Sequence, residues 1–345
     1  MSQDQPLGVD PELTGNVADE EEEALETQFG LPPAALFDEE SWPEGHHSGY
    51  VAVAGAPNVG KSTLINALLG QKLVIVSPKP QTTRHRIMGI LTGEHYQVVF
   101  MDTPGLHRPR TRFGEYMVWV AAETLEEADI ILWLVDASRD PDDDDRRVAE
   151  AVSTAKEATL ALVLNKTDLV DASAVRARQA LYSELAPGIA ARFQVSALKG
   201  EGLDRLLEWV VDELPEGPRY YPEDQVTDRE ERFLAAELIR EQVLHHLRQE
   251  VPHSVAVGID EFVERTAGKT YIRATLYVEK ESQKGIIIGT GGATLRRIST
   301  AARAEIERLL DQPVFLELWV KVRPNWRRRD AYLRELGFTP PPRSK

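Results

Sequence analysis

Five short runs are apolar along almost their whole length: residues 50–55 (YVAVAG), 97–102 (QVVFMD), 130–136 (IILWLVD), 159–166 (TLALVLNK) and 192–198 (RFQVSAL). A strand that shows no polar face must be covered on both sides, and a parallel sheet between two layers of helices provides that cover. Polar stretches with helical spacing separate the runs, so the pattern predicts a doubly wound α/β domain. Residues 214–225 (LPEGPRYYPEDQ) end it, because Pro215, Gly217, Pro218 and Pro222 interrupt any regular element. The expected division is a tail at 1–48, an α/β domain at 49–216, a linker at 217–225 and a second domain at 226–345, in line with a length of 345 residues.

The second half has another rhythm. Phe233, Ala236, Ile239, Val243 and Leu247 recur at helical spacing, and Ile272, Ala274, Leu276 and Val278 alternate as in a half-buried strand. The run at 285–288 (GIII) reads as strand-like and leads into a glycine-rich turn. A helical stripe of Leu295, Ile298, Ala302, Ile306 and Leu309 follows, then an alternating strand at 314–322. The order α-β-β-α-β predicts a smaller α+β domain.

Charge is distributed unevenly. Of the formal net charge of −16, residues 1–48 carry 13 acidic side chains and no Lys or Arg. This tail holds too little apolar surface to offset its ordering entropy and is expected to be disordered. By contrast, residues 285–345 hold 12 basic against 6 acidic side chains, the balance of a phosphate-backbone binder. The tail could then compete with RNA for those cations. The chain has no cysteine, which excludes disulfides and thiolate metal sites and points to a reducing compartment. No apolar run approaches the roughly 18 residues of a membrane span.

Directly after the first strand stands GAPNVGKST: Gly55, Ala56, Pro57, Asn58, Val59, Gly60, Lys61, Ser62 and Thr63, followed by a helix pattern. Its spacing is G-x-x-x-x-G-K-S. Glycines let backbone N–H groups wrap phosphate oxygens, the lysine reaches the terminal phosphates, and the serine hydroxyl can ligate Mg²⁺. Asp102 closes the next strand in DTPG, placed for the Mg²⁺ shell, with the Gly105 N–H near a γ-phosphate. NKTD follows a later strand, with Asn165, Lys166 and Asp168; the Asp168 carboxylate can accept from guanine N1–H and N2–H₂, a pattern adenine does not offer. Ser196, Ala197 and Leu198 after the last strand would supply a backbone N–H to guanine O6.

These motifs in this order resemble the translation-factor class of P-loop GTPases, and the loop at 80–87 (PQTTRHRI) is similar to the switch segment of the Era family. The resemblance implies Thr83 as the Mg²⁺-bound threonine, with Thr82 the alternative. Asn58, Lys61, Thr83 and Gly105 are thus the candidate catalytic set, and Ser62, Thr83 and Asp102 the candidate metal set. Many GTPases place a water-orienting Gln after the DTPG glycine; here it is Leu106, which cannot hydrogen-bond through its side chain. Similar GTPases use an asparagine at the position of Asn58 to help bind K⁺, adding positive charge beside the phosphates. His107 reads as a surface residue. His46, His47, His245 and His246 have no partners at metal-ligand spacing.

In the second domain Gly289-Thr290-Gly291-Gly292 forms a G-x-x-G turn before a helix, an arrangement KH domains use to hold about four single-stranded nucleotides. With VTDREERF at 226–233 and LELWVKV at 316–322 it resembles the C-terminal KH domain of the Era family. Gly285, Ile288, the four turn residues, Arg296, Arg297 and Lys321 are the candidate RNA contacts. The turn carries Thr and Gly where many KH turns carry a cation, and the WRRR cluster at 326–329 is a further phosphate-binding candidate or a solvated patch. The resemblance implies a monomeric cytoplasmic GTPase, using GTP and Mg²⁺ and, through Asn58, K⁺. Its implied partners are the 3′ end of small-subunit ribosomal RNA and the small ribosomal subunit during maturation. It also implies peripheral association with the inner face of the cell membrane. A nucleotide-gated RNA-binding scaffold with negligible hydrolysis is the alternative.

Overall fold

The computed structural model describes residues 43–106, 108–248, 250–264 and 268–342. Most of the acidic tail and His107 lie outside the described residues. The first domain is a six-stranded sheet of β1 (His47–Ala54), β2 (Ile87–Thr92), β3 (Tyr96–Asp102), β4 (Ile130–Asp136), β5 (Thr159–Asn165) and β6 (Ile189–Gln194). Its order is β2-β3-β1-β4-β5-β6. All neighbours are parallel except β2, which runs antiparallel to β3.

Alternation along β1 assigns the two faces. Val51 and Val53 join a core with α1 (Lys61–Leu69) and α5 (Leu203–Glu213). Ala52 and Ala54 point to the opposite core, which holds α2 (Arg112–Glu126), α3 (Asp143–Thr154) and α4 (Ala172–Ser183). Every residue of β4 is buried, as its uninterrupted apolar run predicts. The sheet departs from the expected all-parallel form at β2, which MGILT does not announce because its Gly89 breaks the apolar run. That glycine is required by packing: a Cβ would stand 2.6 Å from Leu69 Cδ1. At the other edge β6 is only half buried, so its run is less apolar than the central ones.

Residues 46–48, placed by sequence in the tail, and 217–225, placed in a linker, are both laid against this sheet. His46 Nδ1 meets Gly217 O at 2.9 Å, His47 Nδ1 meets Leu214 O at 2.6 Å, and Ser48 Oγ donates to Pro218 O at 2.6 Å. Gln97 Oε1 accepts the N–H groups of Tyr220 and Tyr221. Beyond them, Ile90 N donates to Val226 O and Asp228 Oδ1 accepts from Met88 N, so the chain leaving the domain covers the open edge of β2.

The second domain is a three-stranded sheet, β7 (Ala256–Val263), β8 (Thr270–Val278) and β9 (Val314–Val322), with β8 central, antiparallel to β7 and parallel to β9. Helices α6 (Glu231–His246) and α8 (Ala293–Leu310) cover it, with Ile272, Ala274, Leu276 and Val278 turned to them as expected. The strand-like reading of 285–288 is corrected: it is the end of α7 (Glu281–Ile288), so the order is α-β-β-α-α-β. Three successive isoleucines favour a strand locally. Gln283 Oε1 accepting from Glu279 N and Lys280 N starts a helix instead, and Gly289 N donating to Gly285 O closes it around the buried Ile287. The stripe read along α6 is also too narrow, because Glu237, Arg240, Glu241 and Gln242 are buried as well. The helix packs on its own sheet with one side and on the first domain with the other.

Trp326 is fully buried and lies in an aromatic cluster with Phe113 of α2 and Phe338, its Nε1 donating to Ser254 O at 2.8 Å. The indole of WRRR is therefore core, not an RNA contact. Truncation to Ala should destabilise the protein by about 3–5 kcal/mol, read from the midpoint of urea unfolding.

Candidate GTP site and RNA-facing turn

The P-loop leaves β1 at Ala54 and enters α1 at Lys61. Its two glycines are fixed by protein contacts. A Cβ on Gly55 would lie 2.5 Å from Leu134 O, and one on Gly60, at φ 107°, would lie 2.3 Å from Asn165 Nδ2. Asn58 also has positive φ, 66°. Lys61 is buried beneath the loop, its Nζ donating to Gly55 O at 3.0 Å and Ala56 O at 3.1 Å. Burial pushes its ammonium down to about 8, with Asp102 opposing the shift.

Asp102 is fully buried at the end of β3. Its Oδ2 accepts from Ser62 Oγ at 2.9 Å and from Thr83 Oγ1 at 2.8 Å, and the two hydroxyls are 3.1 Å apart. Burial raises the Asp102 pKa against the pull of Lys61, Thr83, Ser62 and the Thr103 backbone, and among the described residues no side chain or backbone group meets the geometry of a hydrogen bond to Oδ1. An orphaned carboxylate oxygen beside two hydroxyls is a hard-oxygen donor set that fits Mg²⁺ completed by phosphate oxygens and water. Of the two threonines, Thr83 reaches Asp102; Thr82 Oγ1 instead donates to Lys79 O at 2.7 Å.

At the base end, Asn165 binds two loops together. Nδ2 donates to Val59 O at 2.8 Å and Oδ1 accepts from Ala197 N at 2.9 Å. The Ser196 N–H is likewise committed, to Glu201 O. Expected as base contacts, Asn165, Ser196 and Ala197 have these groups engaged within the protein. Ser196 Oγ holds Asp168 Oδ1 at 2.7 Å, so the serine orients the carboxylate that sequence singles out. Lys166 Nζ donates to Asn58 O at 2.8 Å and pairs with Asp136 Oδ2 at 2.6 Å, placing its stem along the cavity wall.

These residues surround a cavity of about 280 Å³. Pro57, Asn58, Gly60, Lys61, Ser62 and Thr63 line its phosphate end, with Thr83 and Gly105. Asn165, Lys166, Asp168, Ser196 and Leu198 line its base end; Gly55, Ala56, Val59 and Ala197 sit behind it. A Cβ on Gly105 would stand 3.3 Å from Pro57 N and 3.4 Å from Lys61 Nζ, so a side chain there would fit only with small shifts of the P-loop. Leu106 turns inward and joins the α2–α4 core. Leu169 and Leu198, 64% and 82% exposed, flank the base end; sequence reasoning passed over Leu169 because a lone apolar loop residue carries no motif, and took Leu198 only as the end of SAL.

In the second domain the G-x-x-G turn links α7 to α8. Gly289 has φ 71°, and a Cβ there would meet Thr294 Oγ1 at 2.4 Å; Gly291 and Gly292, at φ 59° and 77°, face open space. Gly285 and Thr290 are exposed, Ile288 is partly buried, and Arg296, Arg297 and Lys321 are exposed with no ion pair among the described residues. The remaining basic residues are less free: Arg327 pairs with Glu279, and Arg323 with Glu335 while stacking on Tyr277 and Tyr332.

Residues 50–166 match the family described as 50S ribosome-binding GTPase, and residues 250–327 match the KH domain family. GTPase Era of Ruminiclostridium cellulolyticum is 49% identical over 293 residues, which are 85% of this chain and 98% of that protein. The chain belongs to the Era family. It is a GTPase, acting on GTP with Mg²⁺. GTPase Era of Thermotoga maritima is 48% identical over 84% of this chain and 97% of its own length. A crystal structure of an Aquifex aeolicus Era variant bound to GDP·AlF₄⁻ superposes with a TM-score of 0.81 at 41% identity, over 85% of this chain and 99% of that one. Another, of Era with MgGDPNP and nucleotides 1506–1542 of 16S ribosomal RNA, gives a TM-score of 0.82 at 40% identity over the same shares.

The cross-brace at Asn165 predicts that Asn165→Ala weakens every nucleotide, not guanine alone. Loss of two buried hydrogen bonds should also lower stability by about 2–3 kcal/mol, measured by denaturant titration without nucleotide.

Proposed function

We propose that this GTPase binds the 3′ end of small-subunit ribosomal RNA through its KH domain and serves small-subunit maturation in the cytoplasm, with GTP gating the RNA complex. The observation that carries the reading is the position of the switch segment. Residues 76–83 line the nucleotide cavity on one side and bond α6 of the KH domain on the other. Support for the RNA partner comes from the related Era complex and from the open Gly291 and Gly292 backbone beside unpaired Arg296 and Arg297.

In this reading the P-loop amides and Lys61 hold the β- and γ-phosphates, while Asp168 accepts from the guanine edge. Mg²⁺ bound with GTP supplies positive charge against the charge developing on those phosphates. Ser62, Thr83 and Asp102 would hold it, and Gly105 lines the same end of the cavity. Since Leu106 is packed in the core, no side chain from that position orients the attacking water. Asn58, exposed at the cavity mouth, is proposed to bring K⁺ to the phosphates instead.

Four measurements test this. Asp168→Ala should lose the preference for guanine over adenine nucleotides by about 1–3 kcal/mol in calorimetry; an unchanged preference overturns the base assignment. Turnover should be several-fold faster in KCl than in NaCl and lose that difference in Asn58→Ala. An RNA of the small-subunit 3′ end should bind the GTP-analogue form about tenfold tighter than the GDP form. Thr290→Asp should weaken both by a similar factor with GTP affinity intact, because a carboxylate at the turn repels the phosphate backbone.

A further inference from the structure

Between α1 and β2 the chain forms no regular element, yet α6 and the neighbouring KH backbone grip it repeatedly. Lys72 Nζ pairs with Glu241 Oε2 at 2.6 Å, and Val76 N donates to Glu241 Oε1 at 2.9 Å. Ile75 inserts into the KH core beside Ala235, Leu238 and Ile239. Lys79 Nζ caps the carbonyls of Leu244 and Leu247 at the end of α6. Arg240 Nη2 donates to Thr82 O, and Arg84 donates to Val255 O and to His253 O.

The last two bonds bracket Thr83, the residue whose hydroxyl meets Asp102. The peptide joining Thr82 to Thr83 is planar, so holding the Thr82 carbonyl fixes the direction of the Thr83 N–H and the place of its Cα. Arg84 pins the following residue from the other side. Thr83 itself makes no bond across the domains that would do this work; its side chain is directed to Ser62 and Asp102.

The arrangement is costly. Arg84 and Arg240 are almost wholly buried with Glu237 as their shared carboxylate neighbour; Arg240 pairs with it directly. Arg84 Nε and Arg240 Nη1 are buried without hydrogen-bond partners. Two guanidiniums against one carboxylate is a poor way to stabilise an interface, since an apolar pair of equal volume would avoid the desolvation. What the apolar pair could not do is hold a carbonyl in a stretch without secondary structure.

We propose that Arg240 of the KH domain is a positioning residue for the nucleotide site: by holding the Thr82 carbonyl it presents Thr83 to the Mg²⁺ shell of bound GTP. This rests on the reading of Ser62, Thr83 and Asp102 as that shell. It makes the KH domain part of the switch rather than only its target, and by thermodynamic reciprocity GTP must tighten the seat of α6 on the switch segment.

The test uses the full-length chain and a fluorescent non-hydrolysable GTP analogue, titrated with Mg²⁺ and compared with GDP. In Arg240→Met the Mg²⁺ concentration for half-maximal analogue binding should rise about tenfold, while GDP binding stays as in the wild type, because the switch threonine is released with the γ-phosphate. Amide exchange in residues 76–84 of the analogue-bound form should quicken in parallel. Should Arg240→Met not fold, Arg240→Lys carries the test: it keeps the charge but lacks the fork that reaches both Glu237 and Thr82, and the same selective shift is expected. An unchanged Mg²⁺ midpoint, or equal losses for GDP and the analogue, overturns the proposal. If wild-type analogue binding does not depend on Mg²⁺ at all, the shell itself is misassigned, a failure separate from that of Arg240.

Discussion

The metal end of the nucleotide site is organised around one buried carboxylate. Asp102 stands at the end of a strand with no solvent to stabilise its charge, and a single oxygen, Oδ2, collects a hydroxyl from the P-loop helix and one from the switch segment. Three pieces of chain far apart in sequence are thereby brought to one point. A buried carboxylate with a lone unsatisfied oxygen is unfavourable by itself. The same feature makes the site responsive, since a cation there relieves the desolvation that raises the Asp102 pKa and draws the two hydroxyls with it.

The surrounding framework is rigid for reasons unrelated to nucleotide. Gly55 is required by the carbonyl of Leu134 and Gly60 by the amide of Asn165. Asn165 ties the P-loop to the loop after β6, so the phosphate and base ends of the cavity move as one body. Rigidity here contrasts with residues 71–86, which have no ladder of their own and take their shape from α6. A segment whose conformation is supplied by its neighbours on both sides can transmit a change at one to the other.

Much of this was legible in the sequence, and what was not has a common cause. The central strands are readable because burial on both faces leaves no polar residue in them, and the P-loop, DTPG and NKTD because their spacing is dictated by the ligand. Thr83 was separable from Thr82 only in three dimensions, where one hydroxyl reaches Asp102 and the other turns to Lys79. The helix at 281–288 was hidden because isoleucine propensity favours a strand while a glutamine cap and a glycine closure decide otherwise. The NKTD motif does not reveal that Asn165 also braces Val59 and Ala197, a role its amide can fill while a second Nδ2 hydrogen remains for a base. Glu237 and Arg240 gave no signal, since a charged residue at helical spacing reads as a solvated face until another domain is known to cover it, and Arg84 stood in a quoted switch loop with nothing to show that it would be buried.

Leu106 shows how such a site can work without a polar group at the expected place. Its side chain joins Val99, Met101 and Ala121 in the core beneath α2, anchoring the loop that carries Gly105. A glutamine there would bring an amide into apolar surroundings with no partner, at a cost of about 1–3 kcal/mol. The leucine therefore anchors the turn that carries Gly105 at the expense of a side chain for the attacking water. Chemistry at this site must then depend on backbone amides, Lys61 and the Mg²⁺ that comes with GTP. The amides and Lys61 are mounted on the rigid frame, while Thr83 alone arrives on the segment that the second domain holds. Timing and turnover thus fall to different parts of the molecule.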